Sequence, residues 1–507
     1  MPNDKPYKSS GVQLPIFSLP DQYGIGTIGK GARKFIDFLH DSGFRYWLIL
    51  PLVPTAYLDS PYSSFSSRAL NPYFIDLEDL VEKGLLLKRD LAKIDWGEDK
   101  TQVDYGKIYE NRSKVLHIAY RRFLKGQGDY QRGYVSFLRN NPFLDYACFM
   151  ALKESNGNKP WSDFKEPYNQ YSLSQFREVK HRNKYEVEFQ MWTQYIFLKQ
   201  WDSLKDYAHS KDVQIIGEMP MYVSYDSIDV YRHRLNFKLN RQFKMDYESG
   251  YPSNFATKEG QRWGVPVFDF DYLEKRKFNF ISLRLGFSQS LFDIVMVSSM
   301  QVLFEYYSIK TAEKDISKGT WHRGPGDKVF DHVHFDPERT LAETVEVYSP
   351  EMKESLRKRG LPSMTILEYA FPREETNINN PKVYDYNTFS FSSYHDCMPL
   401  VGYYDEMDPE SKEKAKKQIN ECCYSFGIDK TDGTSKDNAR AIMELNLASP
   451  SKVAIQTMND ILLQGKETRI NTPNKPSGNW RYRITEKDLS KDLAEKLYQL
   501  NKKYGRI

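Results

Sequence analysis

Short apolar runs recur along the chain at Gly11 to Phe17, Tyr46 to Leu52, Val213 to Glu218, Phe292 to Val297, Thr340 to Glu343, Met364 to Tyr369, Thr388 to His395 and Val453 to Met458, with long helical or loop-rich stretches between them. Near-continuous apolar runs of this length fit strands buried on both faces. Eight such strands interleaved with helices predict an α/β chain folded as a (β/α)₈ TIM barrel. Helical period is clear in Tyr185 to His209, where Phe189, Trp192, Ile196, Trp201 and Leu204 fall on one face just before a strand. That helix reads as a barrel helix, and its tryptophans as core.

A chain of 507 residues is too long for one compact core unless a barrel carries insertions. The strand spacing is uneven in that sense: more than about 150 residues separate the second and third runs and about 75 the third and fourth, well above ordinary connections. A single barrel is expected over residues 11–507, with a helical inserted subdomain over 55–210 and a smaller one over 220–290. The first holds the helical pattern Ile108 to Phe123 and the polar, aromatic stretch Asn156 to Tyr171; the second holds Tyr247 to Phe268, rich in glycine, proline and aromatics.

Charge excludes some partners. With 72 basic against 68 acidic residues the net is only +4, so no field of one sign points to nucleic acid. No uninterrupted apolar run reaches the roughly 18 residues of a membrane span, and the first residues lack the apolar core of a secretion signal. The four cysteines, Cys148, Cys397, Cys422 and Cys423, have no metal-binding spacing, and a vicinal pair seldom bridges. A cytoplasmic chain is the expectation. The 36 Tyr, 30 Phe and 8 Trp would suit a carbohydrate groove, although packing of a large core accounts for most of them.

In a barrel the reacting groups project from the carboxyl ends of the strands. The residues at those ends are Glu218, Ser298, Glu343 and the pair His395 and Asp396. A retaining glycosidase or transglycosidase needs a carboxylate nucleophile and a carboxylic acid about 5 to 5.5 Å apart, the acid held protonated by its surroundings. Glu343 and Asp396 fit such a scheme; no nucleophile is evident.

Five blocks, Ser60-Pro61-Tyr62, Asn71-Pro72-Tyr73, Gly260-Gln261-Arg262-Trp263-Gly264, Pro325-Gly326-Asp327-Lys328 and Pro476-Ser477-Gly478-Asn479-Trp480, occur in an order that resembles the amylomaltases, the 4-α-glucanotransferase or disproportionating-enzyme family. The resemblance runs from about Gly11 to Ile484. It implies transfer between α-1,4-glucans and malto-oligosaccharides without a metal or organic cofactor. In that chemistry an aspartate ending the fourth strand attacks the anomeric carbon and a glutamate ending the fifth protonates the departing glucan. The family's acid/base glutamate falls on Glu343 and its transition-state-stabilising aspartate, preceded by histidine, on Asp396 after His395. Sugar-binding roles are implied for Tyr62, Trp263 and Trp480 through their rings and for Asn71, Arg262, Asp327, Lys328, His395 and Asn479 through hydrogen bonds.

The fourth strand departs from this pattern. The family's arginine, intervening residue, aspartate and histidine fall on Met296, Val297, Ser298 and Ser299, and a serine hydroxyl without a base is a poor nucleophile. Asp293 lies at the strand's other end, roughly 16 Å away at about 3.3 Å per residue, and Glu305 lies beyond the strand. Further departures cluster nearby: Glu218 replaces an aspartate in a Gly-Asp-Met-Pro turn, Thr344 an aspartate, Cys397 and Met398 an Asn-Asp pair, and Asn254-Phe255-Ala256 an Asp-Tyr-Phe loop that encloses acceptor sugars. Three functions therefore stand at this point: glucan transfer with an unidentified nucleophile, a catalytically silent α-glucan-binding scaffold or sensor, or, with less behind it because no base is apparent at suitable spacing, a different barrel activity in which Ser298 or Ser299 has a new role.

Overall fold

The computed structural model describes residues 7–140, 142–254, 257–344, 349–374 and 376–507. Eight parallel strands, β1 (Ser9–Gln13), β2 (Tyr46–Leu48), β3 (Gln214–Pro220), β4 (Ile294–Ser298), β5 (Thr340–Ala342), β6 (Ser363–Ile366), β7 (Thr388–Phe391) and β8 (Val453–Thr457), form one sheet in the order β6-β7-β8-β1-β2-β3-β4-β5. The alternation of the strands sorts their side chains. Leu48, Ile216, Ile294, Met296, Leu341, Ile366, Phe391 and Ile455 fill the barrel interior, whereas Trp47, Ile215, Val295 and Val297 pack in the larger core formed with the helices. This is the expected TIM barrel.

The sheet closes between β5 and β6. The Ala342 N–H donates to the Pro362 carbonyl at 3.0 Å. Thr344 then completes the seam with its side chain: its hydroxyl accepts from the Met364 N–H and donates to the Met364 carbonyl, both at 3.2 Å. A threonine at this departure from the family pattern thus stands in for a pair of ladder bonds.

Strand ends differ from the apolar runs by a few residues. β1 stops at Gln13 and the chain turns at Ile16–Ser18; β6 stops at Ile366 before a turn at Leu367–Ala370. Glu218 lies inside β3, which continues to Pro220. Gly217 has a packing reason: a Cβ there would lie 2.3 Å from the Phe292 ring, so only glycine lets the chain entering β4 press against β3.

Between β2 and β3 the chain is helical, with helices at Tyr105–Leu124, Leu144–Ser155 and Lys184–Ser210. Trp192 and Trp201 are fully buried on the last of these, as its period predicts. A four-stranded antiparallel sheet lies outside the barrel, in the order Gln261–Pro266, Tyr247–Tyr251, Glu305–Lys310 and Thr320–Arg323. Two of its strands come from beyond the expected 220–290 stretch, after β4. Short strands of mixed polarity such as Thr320–Arg323 leave no apolar run to reveal them. Among the described residues, no helix is long and apolar enough to cross a membrane.

Candidate active site

Carboxyl groups carried by β3 and by the chain just after β5 and β7 meet at the carboxyl end of the barrel, around the Ser298 hydroxyl of β4. In the sheet register Glu218 lies opposite Met296 and Pro220 opposite Ser298, so Glu218 starts one layer deeper than Ser298. Its longer side chain rises across β4 to the Ser298 hydroxyl, which donates to Oε1 at 2.5 Å. The strand end that carries it is braced from behind. The buried Arg284 guanidinium donates to the Pro220 carbonyl and to that of Met221 at 2.7 Å, and the Ser298 carbonyl accepts from the Met221 N–H.

The polar side chains converge on Ser298. Its hydroxyl donates to Glu218, and Glu343 and Tyr394 lie beside it. Tyr62 donates to the other Glu218 oxygen at 2.8 Å and also meets His395 Nε2 at 2.9 Å. The Gln13 amide lies 3.5 Å from His395 Nδ1, and the other ring nitrogen, Nε2, faces Tyr62 and, at 3.2 Å, Asp396 Oδ1.

Glu343 is 8% exposed, and burial together with the negative charge of Glu218 and Asp396 raises its pKa far above the usual carboxylate range. Glu218 is 4% exposed; burial and Asp396 push it up to about 8, opposed by the hydrogen bonds from Ser298 and Tyr62. Burial lowers the pKa of His395 and keeps the ring neutral.

These shifts have a stability consequence. Glu218 holds its proton more tightly in the folded chain than in the unfolded one, whose carboxyls lie near 4.5. Its contribution is therefore fully present below about pH 4.5 and is lost as pH rises through about 8. Melting temperature is expected to fall between pH 6 and pH 9, and to fall less in Glu218→Gln; an equal fall in both proteins would refute the linkage.

The remaining side chains form a frame or lie elsewhere. The Tyr62 ring stacks on His395 at 5.4 Å and packs tilted on Trp480 at 5.7 Å, making an aromatic wall beside the carboxyls. Asp396, partly exposed, is aimed by Asn471, whose amide donates to Oδ1 at 2.6 Å, and by Arg469, which holds the Asp396 carbonyl at 2.6 Å. Neither residue stands out in the sequence, nor does Tyr394; all three show themselves only through contacts between distant loops.

Arg262 is tied to Glu248 at 2.5 Å and to the Glu313 carbonyl, while the Trp263 ring, 37% exposed, packs on Tyr222. Asn71 caps the turn at Pro72–Phe74, and Asn479 holds the loop at Thr472 and Lys475 through backbone hydrogen bonds. Asp327 accepts from Ser355 and pairs with Arg359, and Lys328 pairs with Glu274. The polar ends of these four therefore serve local structure. Asp293 caps the start of β3 through Ile215 N–H and pairs with His209, and Glu305 accepts from Gln301. Cys397 turns to the Tyr369 hydroxyl at 3.1 Å. Asn254 caps a turn through Thr257, whereas Phe255 and Ala256 lie outside the described residues.

Comparison with known proteins gives consistent matches over nearly the whole chain. The family model described as 4-alpha-glucanotransferase matches residues 14–489. The chain is 34% identical over 498 residues to the 4-alpha-glucanotransferase of Clostridium butyricum, covering 97% of this chain and 100% of that one. It is also 34% identical to the 4-alpha-glucanotransferase of Thermus thermophilus, covering 97% of each. Among solved structures, an amylomaltase from Streptococcus agalactiae in complex with acarbose aligns with a TM-score of 0.90 at 30% identity, covering 98% of this chain and 99% of that one.

Proposed function

The chain belongs to the 4-alpha-glucanotransferase family, the amylomaltases, and on that premise we propose that it transfers α-1,4-glucan segments between malto-oligosaccharides with retention of configuration. Glu343 is the acid and base, Asp396 the group that stabilises positive charge at the sugar ring, and the wall of Tyr62, His395 and Trp480 a face for a glucosyl unit. Asp396 has the placement for its part: Asn471 and Arg469 hold it while its carboxylate stays partly open to the cleft.

The observation that carries this reading is the cluster at the strand ends. Glu218 accepts from the Ser298 hydroxyl, and Glu343, whose pKa is raised by burial and by the charges of Glu218 and Asp396, lies beside them. A double displacement uses two such carboxyls. A silent glucan-binding protein needs only the frame and has no use for such a pair.

Incubation of the purified protein with maltotriose tests the proposal. Glucose and a ladder of longer maltodextrins are expected, because each transfer of a maltosyl unit releases glucose and extends an acceptor. Binding of maltotetraose by calorimetry with no ladder at any enzyme concentration would instead establish the silent binder.

A further inference from the structure

The glucan-transfer reading leaves one role unfilled, since Ser298 stands where the attacking carboxylate is expected. We propose that Glu218 has taken over as the nucleophile, reaching the sugar from β3 in place of a residue on β4. The inference rests on the transfer reading and adds to it the group that forms the covalent intermediate.

Placement carries the assignment. Glu218 Oε1 lies 2.5 Å from Ser298 Oγ, so the carboxylate occupies the edge of the space that a longer acidic side chain at 298 would fill. Glu343 follows β5, the strand paired with the far side of β4, and its carboxyl feels the charge of Glu218 directly.

The substitutions around Glu218 make sense together. Relative to the family pattern, position 218 has gained a methylene and position 298 has lost a carboxylate, so reach is added on one strand where bulk is removed on the next. Position 296 has exchanged arginine for methionine, and Met296 is the residue directly beside Glu218 in the sheet. Without a cation there, the hydrogen bonds to the Glu218 carboxyl among the described residues come from the hydroxyls of Ser298 and Tyr62. These hydroxyl donors pull the Glu218 pKa down against its burial and so favour the carboxylate that attacks, and Ser298 is thereby a positioning residue.

The chemistry balances with the groups present. A Glu218 oxygen attacks C1 of the bound glucosyl unit, the bond from C1 to the glycosidic oxygen breaks, and the Glu343 proton goes to that oxygen as the shortened glucan leaves. In the second half the 4-hydroxyl of another glucan attacks C1, returns its proton to Glu343, and displaces Glu218. Two inversions give net retention.

Three proteins, wild type, Glu218→Gln and Glu218→Ala, decide the matter, with thermal melting to establish that each is folded. If wild type forms the maltotriose ladder, both variants should lose it by about 10⁴-fold. Glu218→Ala given α-maltosyl fluoride and sodium azide should then yield β-maltosyl azide. The small anion enters from the face the carboxylate has vacated, and fluoride leaves without needing the Glu343 proton. A ladder within tenfold of wild type in Glu218→Gln overturns the assignment, and so does a lost ladder with no azide product, which would mark Glu218 as merely structural. Absence of the ladder from wild type would instead sink the transfer reading itself, and the nucleophile with it.

Discussion

Glu343→Gln is expected to lower transfer from maltotriose by about 10⁴-fold while leaving the release of fluoride from α-maltosyl fluoride in the first turnover within about tenfold of wild type. The contrast follows from the leaving groups. A glucan oxygen departs as a poor alkoxide unless a proton arrives with it, whereas fluoride departs without one. Glutamine keeps the size of the side chain, so the packing around this buried position is preserved. It lacks only the acidic proton that burial and the neighbouring charges of Glu218 and Asp396 hold on Glu343. Initial rates for the two substrates, with the fluoride measured as a burst, would settle the role. Equal losses on both substrates would mean that Glu343 binds or shapes the site and does not donate a proton.

The barrel was legible because burial on both faces imposes apolar runs, and eight such runs leave few alternatives. The antiparallel sheet at its side was not. Its strand Glu305–Lys310 pairs with Tyr247–Tyr251, on the far side of β4 in the sequence, and Thr320–Arg323 adds to its other edge, and short strands of mixed polarity carry no period that separates them from loop. Reading strand ends one at a time did find Glu218, Ser298, Glu343, His395 and Asp396, which the fold brings to one end of the barrel. What it could not find is how they divide the work. The contact between Glu218 and Ser298 joins residues 80 positions apart and depends on the register of β3 against β4 and on a side chain long enough to climb one layer. A distance argued along one strand rightly removes Asp293, yet says nothing of a carboxylate on the next strand. Asn71, Asn479, Asp327 and Lys328 show the opposite difficulty. They sit in turn-forming blocks, and such blocks persist for backbone reasons as readily as for ligand contacts. Here Asn71 caps a turn and Asn479 ties a loop.

Restoring the aspartate alone is expected to harm this protein. Ser298→Asp would place a third carboxyl against Glu218, whose Oε1 already lies 2.5 Å from the atom being replaced, with Glu343 on the other side. Like charges at that separation cannot both ionise, so one group must stay protonated or the cluster must open to water. The neighbouring Met296 is fully buried and offers no compensating charge. The single variant should unfold at lower urea concentration, by about 3 kcal/mol, a typical cost for an uncompensated buried charge. It should transfer maltosyl units at least tenfold more slowly than wild type, since a proton shared among three carboxyls weakens the nucleophile. Ser298→Asp combined with Met296→Arg and Glu218→Asp should behave differently. The guanidinium would sit beside the shortened carboxylate on β3 and next to the new one on β4, supplying the cation that the pair requires, and both stability and transfer should recover relative to the single variant. Urea midpoints and initial rates for the four proteins, wild type, single, double with Met296→Arg and triple, measure this directly. A single Ser298→Asp protein that is as stable as wild type and faster would show that position 298 was simply vacant, and would remove the steric and electrostatic basis for a nucleophile on β3.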